Sequence, residues 1–266
     1  MWGEMCRSID SVALLSMSEQ PQAQSQIQAQ VPLAPAVPSN EHPAVPVPQP
    51  PLVRLKHTIA FALSAVLSPY LVLPIGTVGI IGSVAQPTRA FLTYTAISIF
   101  FSTVLPALFV VFQIWRGKIT DVHVMEREQR GGPFIVAIFS SALGAWVLHA
   151  IGAPMTVWGI SAVLAVNGLI LTAITNFWKI SMHVAVLSAT VLAAITMIPH
   201  NSAWPLLLLI PSLMWARIVR GRHTILQGIA GALMAMFITF FSLRLLDFIY
   251  NAAARKAILN LLGMDR

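Results

Sequence analysis

The sequence predicts an all-α fold, a polytopic membrane bundle of about seven transmembrane helices, and three observations indicate it. First, hydrophobic residues make up 57% and charged residues only 9% of the chain, and the mean hydropathy is +0.78, well outside the range of soluble proteins. Second, apolar runs long enough to cross a bilayer recur along most of the chain. Third, tryptophans stand at the ends of these runs, as interfacial tryptophans do in membrane proteins. They are Trp115, Trp178 and Trp215 at one membrane face and Trp146, Trp158 and Trp204 at the other.

The N-terminal part of the chain differs in composition from the rest. Gln, Pro, Ala and Val dominate residues 19–51, and such a segment buries too little apolar surface to offset its ordering entropy. We predict a disordered Gln/Pro-rich tail over residues 1–52, a transmembrane bundle over 53–250 and an amphipathic or frayed segment over 251–266. The one cysteine, Cys6, excludes an internal disulfide framework and a cysteine-based metal site.

The apolar runs predict the membrane spans in chain order. The first run carries Pro69 and Pro74, which predict kinks, and a re-entrant first segment is an alternative. Beyond the last run, Ala254, Ile258 and Leu261 share one face, which suits either a helix lying in the interface or an extension of the last span. The predicted spans cover about residues 57–84, 90–115, 133–151, 154–178, 180–198, 204–219 and 224–250.

Lysine and arginine are unevenly distributed between the two membrane sides that these spans define. Most of them precede the first span or lie in the loops after the second, fourth and sixth spans. Because basic loops stay in the cytoplasm, we predict a cytoplasmic N-terminus, three cytoplasmic even-numbered loops and a location in the plasma (inner) membrane. The basic residues on this side are Arg54, Lys56, Arg116, Lys118, Arg127, Arg130, Lys179, Arg217, Arg220 and Arg222.

The most concentrated polar stretch runs from Arg217 to Gln227, between two long apolar runs. Charges at a membrane edge need water, a partner or a ligand. The Arg217-x5-His223 spacing suits a phosphate site, because a guanidinium grips an oxyanion in fork geometry while an imidazole reaches the phosphorus. The alternative is that Arg220 and Arg222 are positive-inside anchors on a short loop.

Each of the other two basic loops also brings a cation and a histidine to this membrane face. Several cations and histidines at one level can cradle a phosphate, attack it and protonate the leaving group. We therefore predict a single phosphate site built from three loops. The cations and histidines of these loops are Lys118, His123, Arg127 and Arg130 in the first, Lys179 and His183 in the second, and Arg217, Arg220, Arg222 and His223 in the third.

Ser181-Met-His183 and Arg217-x5-His223 resemble two motifs of the type 2 phosphatidic acid phosphatase superfamily. The family signature reads Lys-x6-Arg-Pro, then Pro-Ser-Gly-His, then Ser-Arg-x5-His-x3-Asp. The resemblance covers about residues 118–231 and implies a six-helix membrane core, here with one helix added, related to vanadium haloperoxidases. It implies that His223 is the nucleophile that forms a phosphohistidine and that His183 is the general acid. Arg217 and Ser181 correspond to ligands of the oxyanion, and Arg130 to the arginine of the first motif.

The chain departs from the family signature at several positions. Ala216 stands in place of the family's serine and Met182 in place of its glycine. Gln227 replaces the aspartate that orients the nucleophilic histidine; it can accept a hydrogen bond from His223 but carries no charge. We therefore expect Gln227→Asp to preserve or raise activity. The first-motif lysine is absent at the family spacing, and three cations could substitute for it: Lys118, Arg127 and Lys179.

The resemblance implies a metal-independent membrane hydrolase of lipid metabolism without a cofactor, acting on a lipid phosphate or an isoprenoid diphosphate. Its partners would be that substrate and the lipid bilayer, and no nucleic acid. A catalytically silent lipid-headgroup-binding or lipid-transfer protein is the alternative, because the same cations would hold a headgroup. A transporter is a third reading, disfavoured because almost no ionisable residue lies in the middle of a span.

Overall fold

In a computed structural model, residues 50–85, 88–118, 131–198 and 202–261 are described, and these residues form helices and short turns without β-strands. The predicted tail before residue 50, with Arg127 and Arg130, lies outside the described residues. The helices are α1 (Pro51–Val66), α2 (Pro69–Gly82), α3 (Thr88–Trp115), α4 (Gly131–Ala150), α5 (Met155–Phe177), α6 (Met182–Met197), α7 (Trp204–Val219) and α8 (Ile225–Leu261).

The lengths of these helices confirm a membrane-type helical bundle but not the predicted count of spans. Four helices, namely α3, α4, α5 and α8 as far as Ala252, are long and apolar enough to cross a membrane, and α1 with α2 would make a fifth. Helices α6 and α7 are apolar but shorter. After residue 250, α8 continues as helix to Leu261.

The first predicted span is broken into α1 and α2, which meet at an angle of 50°. Pro69 is the first residue of α2, and Ser68 before it is extended, with φ −73° and ψ 153°. A proline disfavours the helical conformation of the residue before it and cannot donate its own backbone hydrogen bond, and both effects favour the break at Ser68. The kink expected at Pro69 is therefore a break, whereas α2 continues as helix through Pro74.

Helix α3 contains a five-residue π-helical segment, Phe100–Val104, immediately before Pro106. Within it the Leu105 amide donates to the Phe100 carbonyl, five residues back. The next bond in this register would need an amide at Pro106, which proline lacks. The Ser140 hydroxyl of α4 instead donates to the Phe101 carbonyl. A residue of the neighbouring helix thus satisfies the carbonyl that Pro106 leaves open.

Helix α6 lies in the interior of the bundle. Its main neighbours are α8 and α2, and Val184, Leu187 and Val191 form a buried cluster with residues of α2, α7 and α8. Helices α4 and α5 form an antiparallel pair across a tight turn at Gly152, whose φ is +77°. In the middle of α5, the Asn167 Nδ2 donates to Thr239 Oγ1 of α8 at 3.0 Å. Such interhelical hydrogen bonds between polar side chains join helices in the apolar interior of a membrane bundle.

Candidate functional site

A cavity of about 220 Å³ brings together three of the predicted site residues, His183, Arg217 and His223. Most of its wall is apolar, and helices α2 to α7 each contribute to it. Tyr70 and several hydroxyl groups supply the other polar contacts. The polar residues of the wall are Tyr70, Ser102, Thr103, Ser141, Thr172, His183, Arg217 and His223.

The turn between α7 and α8 sets the relative positions of Arg217 and His223. Arg217 lies in the last turn of α7, and its carbonyl accepts from the Arg222 amide at 3.0 Å, while the Gly221 amide donates to the Ile218 carbonyl at 2.9 Å. This pair of bonds is a Schellman motif, and its left-handed position is occupied by Gly221, with φ +63°. The motif ends α7 abruptly and returns the chain to the cavity at His223.

His223 is held by the start of α8. Its Nδ1 lies 3.2 Å from Gln227 Oε1, and the same oxygen accepts from the Thr224 amide at 3.2 Å. The Gln227 amide in turn donates to Thr224 Oγ1 at 3.3 Å. Thr224-x-x-Gln227 is therefore a capping box that satisfies amides of the first turn of α8. Because an amide oxygen only accepts, the contact places the proton of a neutral His223 on Nδ1 and the lone pair on Nε2.

Arg217 is buried, with 6% of its surface exposed, although it lines the cavity. Its Nη1 donates to Ser64 Oγ of α1 at 2.9 Å, and Ser64 is also buried. Helix α1 packs mainly against α7. Helix α1 lies outside residues 118–231, the part of the chain with the motif resemblance, yet it contacts Arg217 directly.

His183 lies in the first turn of α6, after the N-cap residue Ser181. His183 lines the cavity, but Ser181 is fully buried and is not among the lining residues. The Ser181 amide donates to the Gln227 carbonyl at 3.2 Å, which ties the start of α6 to α8. Ser181 Oγ has no hydrogen-bond partner among the described residues. Ser181 therefore lies behind the cavity wall, where its backbone joins the start of α6 to the first turn of α8.

Gly231 is the position on α8 where this junction is tightest. A Cβ at Gly231 would lie 2.9 Å from the Ser181 carbonyl oxygen and 3.4 Å from its amide nitrogen. We expect Gly231→Ala to destabilise the protein by about 1–3 kcal/mol, because backbone atoms of α6 must move. Thermal unfolding in detergent measures this effect. The matched control is Gly79→Ala in α2, where nothing lies within 4 Å of the new Cβ and stability should be unchanged or higher by up to about 1 kcal/mol. Equal unfolding temperatures for the two variants would contradict this account of the junction.

Of the other three predicted site cations, Lys179, Arg127 and Arg130, the structure describes only Lys179. Lys179 is exposed in the short link between α5 and α6 and does not line the cavity. Arg127 and Arg130 belong to residues 119–130, which are outside the described residues. In the described ranges no group of three or more His, Cys, Asp or Glu side chains could hold a metal ion.

Sequence reasoning missed Ser64 and Tyr70, which flank the break between α1 and α2. Both are polar residues within the first apolar run, on either side of the break at Pro69. Polar side chains beside a helix break in a membrane segment are a signal for a site, because they can reach the interior of the bundle. Pro69 and Pro74 predicted kinks or a re-entrant segment here, but not polar contacts with the site.

Comparison of the chain with protein-family models, with curated proteins and with solved structures gave no match. The candidate function therefore rests on the local motifs and on the geometry of the cavity.

Proposed function

We propose that this protein is a metal-independent membrane phosphatase that hydrolyses a lipid phosphate or an isoprenoid diphosphate. The observation that carries the proposal is the cavity, which combines one arginine and two histidines with a mostly apolar wall. An arginine binds a phosphate oxyanion through its forked N–H groups. The apolar wall suits the hydrocarbon chain of an amphiphile. A phosphorylated lipid is the substrate class that needs both surfaces.

In the proposed reaction, His223 Nε2 attacks the phosphorus, and the bond between phosphorus and the leaving oxygen breaks. The contact of His223 Nδ1 with Gln227 supports this step, because it leaves the lone pair on Nε2. His183 gives a proton to the departing oxygen, and Arg217 stabilises the charge on the transferred phosphoryl group. Water then attacks the phosphorus and gives a proton to His183, and the bond between phosphorus and His223 Nε2 breaks; this releases inorganic phosphate and restores both histidines.

We further propose that the chain crosses the plasma (inner) membrane seven times, with the site at its cytoplasmic face. The basic residues of the even loops support this orientation. In a Cys6→Ser background, a cysteine at exposed Lys179 should be protected from an impermeant thiol reagent applied outside intact cells, whereas one at exposed Ser202 should react. The reverse labelling pattern would place the cavity on the outer side.

The decisive experiment is phosphate release by the purified full-length protein in detergent. The substrates are phosphatidic acid and prenyl diphosphates, and EDTA is present throughout. We expect release to continue in EDTA. If the protein released no phosphate from any member of this panel while its fold remained intact, the phosphatase proposal would be wrong.

The neutral side chain of Gln227 supports the second candidate, a silent headgroup-binding protein. An amide can orient His223 but cannot stabilise the positive charge that develops on the imidazole. Such a protein would bind the same lipids through Arg217 without turnover. Lipid binding without phosphate release in the same preparation would favour this candidate.

Gln227 provides a direct test of how much this missing charge matters. Gln227 reaches His223 and Thr224 through a side chain with two methylenes. Glutamate has the same length, whereas aspartate is one methylene shorter, so glutamate is the better replacement. We expect Gln227→Glu to equal or exceed wild-type kcat, by up to about tenfold, because a carboxylate stabilises the imidazolium. Gln227→Ala should lower kcat about tenfold and also cost about 0.5–2 kcal/mol of stability through loss of the cap. A Gln227→Glu variant slower than Gln227→Ala would contradict the role given to this side chain.

A further inference from the structure

The hydrogen bond between Arg217 and Ser64 joins the phosphate-binding candidate to a helix that none of the phosphatase motifs includes. Ser64 is 1% exposed and lies on the face of α1 that packs against α7. Arg217 Nη1 donates to its Oγ at 2.9 Å. Both side chains are buried, and a hydrogen bond is stronger in such surroundings than in water.

A buried guanidinium binds phosphate well only if it is held in one orientation. Its planar fork offers five N–H donors, and bidentate recognition of an oxyanion needs two of them directed at the ligand. An arginine side chain has many rotamers, and fixing one of them costs conformational entropy when the ligand binds. A bond that fixes the plane beforehand removes part of that cost. The Ser64 hydroxyl accepts from one terminal nitrogen of the Arg217 guanidinium and so fixes its plane.

We infer that Ser64 is a positioning residue that orients the Arg217 guanidinium toward a phosphate group in the cavity. The break after α1 adds to this arrangement. Before the break, Ser64 contacts the arginine, and after it Pro69 and Tyr70 line the cavity. In the broken first segment, α1 therefore holds Arg217 through Ser64, and the start of α2 lines the cavity in which the phosphate would bind. This inference rests on the proposed phosphate site, whether that site hydrolyses its ligand or only binds it.

The test measures binding of inorganic phosphate to the full-length protein in detergent by calorimetry, together with kcat and KM for lipid phosphate. Ser64→Ala should weaken phosphate binding and lower kcat/KM by about tenfold, the loss expected for one hydrogen bond to a charged group. Ser64→Thr, which retains the hydroxyl, should recover most of both. The matched control is Ser188→Ala in α6, a fully buried serine whose hydroxyl has no partner among the described residues. It should leave binding and turnover unchanged.

A double-mutant cycle separates positioning from a general effect on stability. In an Arg217→Lys background the forked terminal nitrogens are absent, so Ser64→Ala should change phosphate binding by less than about twofold. A purely structural role of Ser64 would instead give the same loss in both backgrounds, and this result would overturn the inference.

The outcomes also distinguish the inference from the proposed function. If Arg217→Ala abolishes phosphate binding while Ser64→Ala binds like wild type, the inference is wrong and the phosphatase proposal stands. If phosphate binding depends on Ser64 but no lipid is hydrolysed, the inference holds and the phosphatase proposal is wrong. If the wild-type protein does not bind phosphate and hydrolyses nothing, both are wrong.

Discussion

Replacing His223 with alanine is expected to reduce phosphate release from lipid substrates by at least about 10³-fold, because it removes the proposed nucleophile. The second cavity histidine, His183, lies in the first turn of another helix and is expected to serve as the acid. Substrate binding should change little, since Arg217 remains in place. The measurement is the steady-state rate of phosphate release at saturating substrate, with thermal unfolding to show that the fold is intact.

Two further observations make the His223 result specific. Rapid acid-free quenching of wild-type protein with radiolabelled substrate should trap a phosphoprotein that is labile to acid and stable to base, as expected of a phosphohistidine, and His223→Ala should show none. His149→Ala is the matched control, because His149 is exposed, lies at the end of α4 and does not line the cavity. Its activity should equal wild type. Retention of full activity in His223→Ala would refute the covalent mechanism.

The second large effect concerns His183 and depends on the leaving group. We expect His183→Ala to lower kcat for a lipid phosphate by about 10²-fold or more, because a departing alkoxide needs a proton. For p-nitrophenyl phosphate the loss should be below about tenfold, since p-nitrophenolate leaves without protonation. The comparison uses the same preparation of each variant, so differences in folded fraction cancel.

Equal losses on the two substrates would exclude a general-acid role for His183. The positions of the two histidines make this comparison informative, because His183 lies in α6 and His223 in the turn between α7 and α8. His183 is fixed by the start of α6, and His223 by the capping box of α8. A substitution at one can therefore leave the backbone that carries the other unchanged.

The sequence predicts part of the site because the relevant spacing is local. The turn from Arg217 to His223 depends on three features that are close together in the sequence. They are the end of α7, the left-handed Gly221 and the N-cap of α8 at Thr224. Ser181 was expected at the phosphate, but it is buried behind the cavity wall. This placement depends on the close approach of α8 at Gly231, a contact between segments that are distant in the sequence. Whether Arg127, Arg130 and Lys179 contribute stays a prediction.

Contacts between distant segments account for what sequence reasoning could not supply. Ser64 and Arg217 are 153 residues apart, and no local pattern indicates that α1 packs against α7. The lengths of α6 and α7 are a similar case. Hydropathy alone predicts full spans for them, yet α6 is enclosed largely by protein, so its length need not match the bilayer.

The π-helical segment in α3 fixes which face of the following half-helix meets the cavity. A π turn holds one residue more than the α-helical path between the same two points, and each residue advances the direction of the side chains by about 100°. Pro106 and Val110 line the cavity, and the direction in which they leave the helix depends on the one additional residue among Phe100–Val104. Deleting a single residue there would restore α-helical phase and turn a different stripe of Leu105–Trp115 toward the cavity. A one-residue insertion or deletion in α3 would thus change the apolar wall of the cavity without altering the segments of the chain that contain His183 and His223.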